Sequence, residues 1–243
     1  YTSYFNYHFM KSKQEVLAMS TNEPNGENLV LKDSLNKAAG FLGSKIHFDQ
    51  NELEKGINKI NQGIKLYPNR LDMRFGKIYV LGEISDWKNF TSEIQKTIQY
   101  SAKNENNWTW TNNEKYDGGE KEFLLDIQNY QLQLYNTGND KLLKNMREIA
   151  NTVLRFYPNH IESLSNLSIT YLLTGEYDKG IEPLLRAEKI NTKDYVVLSN
   201  IAQGYKLKGD KKKAIEYYEK TVKFGDDKAK EYAKQQIIEL KNN

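Results

Sequence analysis

Histidine is the residue type best suited to metal or proton chemistry. The chain has three, His8, His47 and His160, far apart and none with a second histidine at helical spacing. A metal centre needs such ligands to converge. Cysteine is absent, which removes disulfides, thiolate ligands and thiol nucleophiles. The run Phe41-Leu42-Gly43-Ser44-Lys45 holds glycine, serine and lysine, but not at the spacing of a phosphate-binding loop. Neither a nucleophile elbow nor a dinucleotide-binding glycine pattern occurs. Carboxylates are plentiful, as they are on any solvated helical surface. The sequence therefore predicts a chain that is not an enzyme, with no catalytic residues, no cofactor and no metal site.

Recognition chemistry is better represented. Trp108, Trp110 and Tyr116 lie in a stretch, Asn104 to Glu120, rich in asparagine and glycine, a composition that argues for irregular backbone. Two tryptophans argue against simple disorder, which is poor in aromatics. Exposed on a loop, these rings could anchor a protein partner or stack on a sugar. Folded inward, they would fill a gap between structural repeats. Both readings stand at this point.

The elements that would position such residues follow from composition and period. The 243 residues are 38% hydrophobic and 28% charged, with 17 Tyr, 9 Phe and 3 Trp. Large flat side chains suit thin helix–helix interfaces, where each must cover much area. No stretch approaches the ~18 apolar residues of a membrane span. The chain begins at Tyr1 without an apolar leader; removal of an upstream export signal is compatible with this, and the compartment stays open. The net charge of +3 is local: from Lys206 onward there are eleven Lys against seven Asp and Glu, a balance of +4. Lys211, Lys212 and Lys213 sit together at an expected helix start and read as a solvated end. They do not form the basic stripe with interleaved aromatics of a nucleic-acid groove, so no nucleic-acid partner is expected.

A period of 34 is the main signal. Adding 34 to Leu164, Leu167, Ser168, Tyr171, Gly175 and Leu184 gives Leu198, Ile201, Ala202, Tyr205, Gly209 and Tyr218. Leucine, leucine, small and tyrosine at steps of three, one and three make one face of a first helix. Gly175 and Gly209 end it through a left-handed conformation. Small Gly180 and Ala214 then let a second helix approach closely. Tyr67-Pro68-Asn69 and Tyr157-Pro158-Asn159 mark the ends of earlier repeats, since proline cannot continue a helix. Counting from them gives repeats over 37–70 and 71–104. A further one over 124–160 carries three extra residues, 37 in place of 34, in the turn around Asn136 to Lys141.

This pattern resembles the tetratricopeptide repeat (TPR) family, whose unit is a 34-residue helix–turn–helix. The resemblance is closest over 161–228, extends over 50–104 and 124–160, and is absent over 1–36 and 105–123. It implies an all-α, right-handed α-α superhelix of about five repeats, with the first helix of the first repeat undefined. Residues 1–36 form an N-terminal extension, and 37–243 a solenoid with an irregular insertion at 105–123. Within the extension, Phe5 to Met19 suits a helix and Ser20 to Asn28, with Pro24 and Gly26, a loop. Leu29 to Phe41 suits either a short hairpin or a helix. Asp226-Asp227 should cap a final helix bearing Ala229, Tyr232, Ala233, Ile237 and Leu240 at helical spacing.

The resemblance also implies a concave groove lined by first helices. Carried over by alignment, its residues would be Phe75, Tyr79, Gln128, Ser165, Ile169, Leu172, Ser199, Gln203 and Lys206. Ser165, Ile169, Ser199 and Gln203 stand where chaperone-binding members place Lys, Asn and Arg for a terminal carboxylate, so that partner class is disfavoured. Asn129, Asn166 and Asn200 fall at one point of three successive first helices. An amide there can donate to and accept from a peptide backbone at once, or bond within the repeats. The expected function is a non-enzymatic protein- or peptide-binding scaffold. Its alternative is a small-ligand or carbohydrate site built on Trp108 and Trp110. Partner identity and oligomeric state are not legible.

Overall fold

The computed structural model describes residues 1–23 and 27–242. Pro24 and Gly26, on which part of the expected N-terminal loop rests, lie outside the described residues. The chain divides into two bodies. One comprises Tyr1–Asp86 with Trp108–Lys115, the other Trp87–Asn107 with Tyr116–Asn243.

The first body opens with α1 (Thr2–Ser12), continues through β1 (Lys13–Ser20), β2 (Asn28–Lys32) and β3 (Ala38–Phe48), and returns to α2 (Gln50–Leu66) and α3 (Leu71–Glu83). The expected helix from Phe5 to Met19 thus stops at Ser12, whose hydroxyl turns back onto the Phe9 carbonyl at 2.6 Å. From Lys13 the chain pairs antiparallel with β3, and β3 pairs with β2, giving the order β1-β3-β2. Of the two readings offered for Leu29 to Phe41, the hairpin is the one found. Asp33 Oδ1 accepts from the Leu35 and Lys37 amides, and Asn36 takes a left-handed φ of 63°.

No first helix occupies 37–48, contrary to the expected repeat over 37–70. Gly40 and Gly43 each cost a helix about 1 kcal/mol, and the pairing with two strands supplies the backbone bonds instead. The partner of α2 is α1, so the sheet is inserted between the two helices of a pair. Gly56 of α2 faces α1, where a Cβ would stand in contact with Phe5 and His8 at 3.4 Å. Phe5, Phe9, Leu53, Ile60, Met73 and Val80 form the core beneath. Asp49 caps α2 by accepting from the Glu52 amide. His8 Nδ1 lies 2.6 Å from Glu52 Oε2, while Lys55 donates to the other oxygen at 2.9 Å.

The tryptophan-bearing stretch is not a free loop. Thr109 donates to the Asn69 carbonyl at 2.8 Å and accepts from the Leu71 amide at 3.0 Å, a short parallel bridge onto the turn after α2. Trp108 is 1% exposed, with the Arg74 guanidinium 5.6 Å from its ring. Arg74 is itself fixed on the Pro68 carbonyl.

The second body is all helical: α4 (Trp87–Lys103), α5 (Gly119–Asn136), α6 (Leu143–Phe156), α7 (Ile161–Leu172), α8 (Tyr177–Ile190), α9 (Tyr195–Lys208), α10 (Lys211–Phe224) and α11 (Asp227–Asn242). Because α3 and α4 belong to different bodies, the expected repeat over 71–104 is divided between them. The insertion ends sooner than 123, since α5 begins at Gly119. The extra residues of the 124–160 repeat form a short 3-10 turn, Asp140–Leu142, ahead of α6.

Gly138, Gly175 and Gly209, with φ of 64°, 77° and 87°, close α5, α7 and α9. A left-handed turn of that kind costs a residue with a Cβ about 1–2 kcal/mol. Gly180 sits against Leu172, where a Cβ would be 2.6 Å from its methyl. The interior is Leu164, Leu184, Ala187, Ile201, Ala202, Ala214 and Tyr218, continued by Ala233 and Leu240 of α11. Asp194, Asp210 and Asp226 cap α9, α10 and α11 through their carboxylates.

Candidate functional site

The first helices α7 and α9 stand side by side and enclose a hollow of about 390 Å³. Its walls are Ile169, Leu172 and Leu173 from α7 and the turn after it, with Leu207 from α9. Polar groups reach it at Ser165, Asn166, Ser168, Asn200 and Gln203. None of these lining side chains is ionisable. An uncharged apolar surface carrying a few amides is suited to a peptide's side chain and backbone together.

The polar groups differ in how far they are already committed. Asn166 exchanges amide bonds with Gln128 of α5, one of them 3.3 Å long. Gln203 Oε1 accepts from the Tyr218 hydroxyl at 2.9 Å. Burial pushes the Tyr218 phenol well above its ordinary range, keeping it a donor. Gln203 also lines the hollow. The Ser168 hydroxyl is buried and takes no hydrogen bond from any described residue. Asn200 is half-buried.

Of the residues singled out by sequence, Asn166, Ile169, Asn200 and Gln203 come together here, with Ser165 and Leu172 beside them. Asn129 holds the equivalent place in α5, yet it is exposed and does not line the hollow. Asn166 therefore bonds neither to a peptide nor within its own repeat but across to the first helix of the preceding one, while Asn200 lines the hollow. Lys206 does not face the groove as expected. Its ammonium donates to Gln236 and Glu239 of α11, whose carboxylate draws it toward the capping helix. Phe75 and Tyr79 belong to the first body. Phe75 is buried at 8% exposure with Trp110 edge-on at 6.4 Å, so it is not a groove surface. Tyr79 is exposed and meets Phe9 edge-on.

The loop candidates separate in the same way. Trp108, 1% exposed, offers no face to a sugar or metabolite, which removes one of the two tryptophans on which the small-ligand alternative rested. Trp110 is 38% exposed and meets Phe75 edge-on. Tyr116 is in the second body, where its hydroxyl reaches Asp126 at 3.4 Å and burial pushes the phenol up to about 12. Leu173, Leu207 and Ser168 were missed as lining residues. The signal for the two leucines was present, each standing one helical turn beyond Ile169 or Gln203.

No family model and no curated protein matches the chain. Solved structures do. It is similar to MamA at 14% identity, covering 74% of this chain and 93% of that one, with a TM-score of 0.47. It is similar to YrrB, described as a TPR protein with an unusual peptide-binding site, at 16% identity over 76% of this chain and 84% of that one, TM-score 0.46. A thermophilic TPR protein of Thermus thermophilus matches at 13% identity over 77% and 92%, TM-score 0.46. These likenesses concern fold alone. The pairs α7–α8 and α9–α10, 34 residues apart and with left-handed glycines closing α7 and α9, give this part of the second body the tetratricopeptide-repeat fold.

Proposed function

We propose that the chain is a non-enzymatic interaction scaffold that holds an extended, uncharged segment of a protein partner in the hollow between α7 and α9. The observation that carries this reading is the hollow itself. Aliphatic walls from Ile169, Leu172, Leu173 and Leu207 surround a buried hydroxyl, Ser168, and the amides of Asn200 and Gln203. Apolar walls supply affinity for a side chain, and the amides supply donors and acceptors for a backbone. The lack of lining charge favours neutral sequences over acidic or basic ones.

Leu173 and Leu207 stand exposed at the mouth, so a charge there should spare the fold. A displayed peptide library panned on the whole chain should enrich uncharged, aliphatic- or aromatic-bearing peptides. The double variant Leu173→Glu/Leu207→Glu should lose them by at least about tenfold in affinity with its melting midpoint unchanged. Enrichment that is absent, or equal in the variant, would refute the assignment.

A further inference from the structure

Nearly half of the large apolar side chains that stand exposed among the described residues fall between Tyr1 and Ile46, largely in the part the repeat does not explain. On the sheet they are unevenly shared. Directly paired residues point to the same side of an antiparallel sheet. The register therefore puts Leu17, Met19, Leu29, Leu31, Leu42 and Ile46 on one face. The other face is mixed, with Gln14, Asn28, Lys45 and His47 among Val16, Val30 and Phe41. At its inner end the apolar face begins at Phe48, stacked on Phe9 at 6.0 Å, so it is continuous with the core of the first body. At its outer end it is open: Leu17 and Met19 are each 76% exposed and Leu29 68%.

These six side chains leave on the order of 500 Å² of contiguous apolar surface, the upper end of what a monomer's largest patch reaches. Closed on an identical face, about 1,000 Å² would leave water, the lower bound for a specific interface. Charge argues for the same occupant. Lys13 and Glu15 are the ionised groups on this face, at its inner end, and both are engaged. Glu15 accepts from the Ser44 hydroxyl, and Lys13 sits 4.4 Å from the centre of the Phe9 ring. Residues 1–48 carry five Lys and four Asp or Glu, a balance of +1, without the basic excess that draws a protein to an anionic membrane. A two-fold contact requires a surface that matches itself. A sheet face whose open end carries only apolar side chains meets that requirement, because two such faces stack about 10 Å apart with side chains interdigitating.

We propose that a second copy of this chain packs face to face on the sheet, through Leu17, Met19, Leu29, Leu31, Leu42 and Ile46, and that the protein is a homodimer held by its inserted sheet. The proposal is independent of the hollow between α7 and α9.

Sedimentation velocity of the full chain over about 1–100 μM, the range suited to an interface of this size, should show conversion to twice the monomer mass. Leu17→Lys/Met19→Lys should weaken the dimer at least about a hundredfold, whereas Val30→Lys on the opposite face should leave it intact. Because the chain has no cysteine, a single Met19→Cys substitution should be linked into dimers by a short bis-maleimide, and Val30→Cys should not. This cross-link decides the matter even if the double-lysine variant fails to fold. A wild type that stays monomeric across the range, or a dimer that survives the double-lysine change, would overturn the proposal. So would a monomer that floats with vesicles of equal parts phosphatidylcholine and phosphatidylserine.

Discussion

Gln131 offers the sharpest test of how the second body is packed. It stands seven residues before Gly138, as Ser168 stands before Gly175 and Ala202 before Gly209. The place between paired helices that holds a small residue in α7 and α9 thus holds a long amide in α5. Gln131 is 1% exposed, and among the described residues its Oε1 finds no donor and its Nε2 no acceptor. An amide buried in that way costs about 1–3 kcal/mol. Methionine is of similar length, unbranched, and carries no strong polar group. Gln131→Met should therefore stabilise the protein by about 1–3 kcal/mol. At about 2–4 °C per kcal/mol for a chain of this size, the melting midpoint should rise by several degrees. Gln131→Glu adds a charge in the same place and should lower it. Thermal unfolding followed by helical circular dichroism, with urea titration as a second measure, reads both. A lowered midpoint for Gln131→Met would show that the amide is satisfied in solution, and the packing argument would fail.

Other consequences are equally direct. Trp108→Ala should cost about 3–5 kcal/mol by urea unfolding, as a large buried aromatic does, while Trp110→Ala, 38% exposed, should cost clearly less. Equal losses would contradict the assigned burial. Lys55, His8 and Lys11 hold the Glu52 carboxyl at about 2 instead of 4.5. With the folded value below the unfolded one, the stabilisation is complete above about pH 4.5 and is lost as pH falls toward 2. Amide protection factors in α1, corrected for the intrinsic exchange rate at each pH, should fall across that window in the wild type, and Glu52→Gln should abolish the pH step.

What the sequence disclosed follows a physical division. Helix pairs were legible where their signal is local. Leu164, Leu167, Ser168 and Tyr171 lie within two turns of one another, and Gly175 ends the same helix that they face. The same register brought Asn166, Ile169, Asn200 and Gln203 to one hollow without any structure. Pairings between distant residues were not legible. Val16 meets Lys45 and Met19 meets Leu42 with the whole of β2 between them in the chain, so residues 13–20 read as more helix. Trp108 gave no sign of Arg74, nor Phe75 of Trp110, because each contact spans more than thirty residues of chain. Lys206 misled for the same reason: the carboxylate that turns it aside sits on the final helix.

The bridge between Thr109 and the turn after α2 bears on how the protein is made. A chain emerging from the ribosome offers α1, the sheet, α2 and α3 first, yet the first body includes Trp108–Lys115. At about 5–20 residues per second of synthesis, that body waits a few seconds with the underside of Arg74 bare. Meanwhile α4, which belongs to the second body, has already been delivered. The boundary between the bodies is thus crossed three times by one thread, and neither can be obtained by a single cut. A fragment ending at Asp86 lacks the Thr109 bridge to the turn after α2, and one beginning at Trp87 carries a segment whose place is elsewhere.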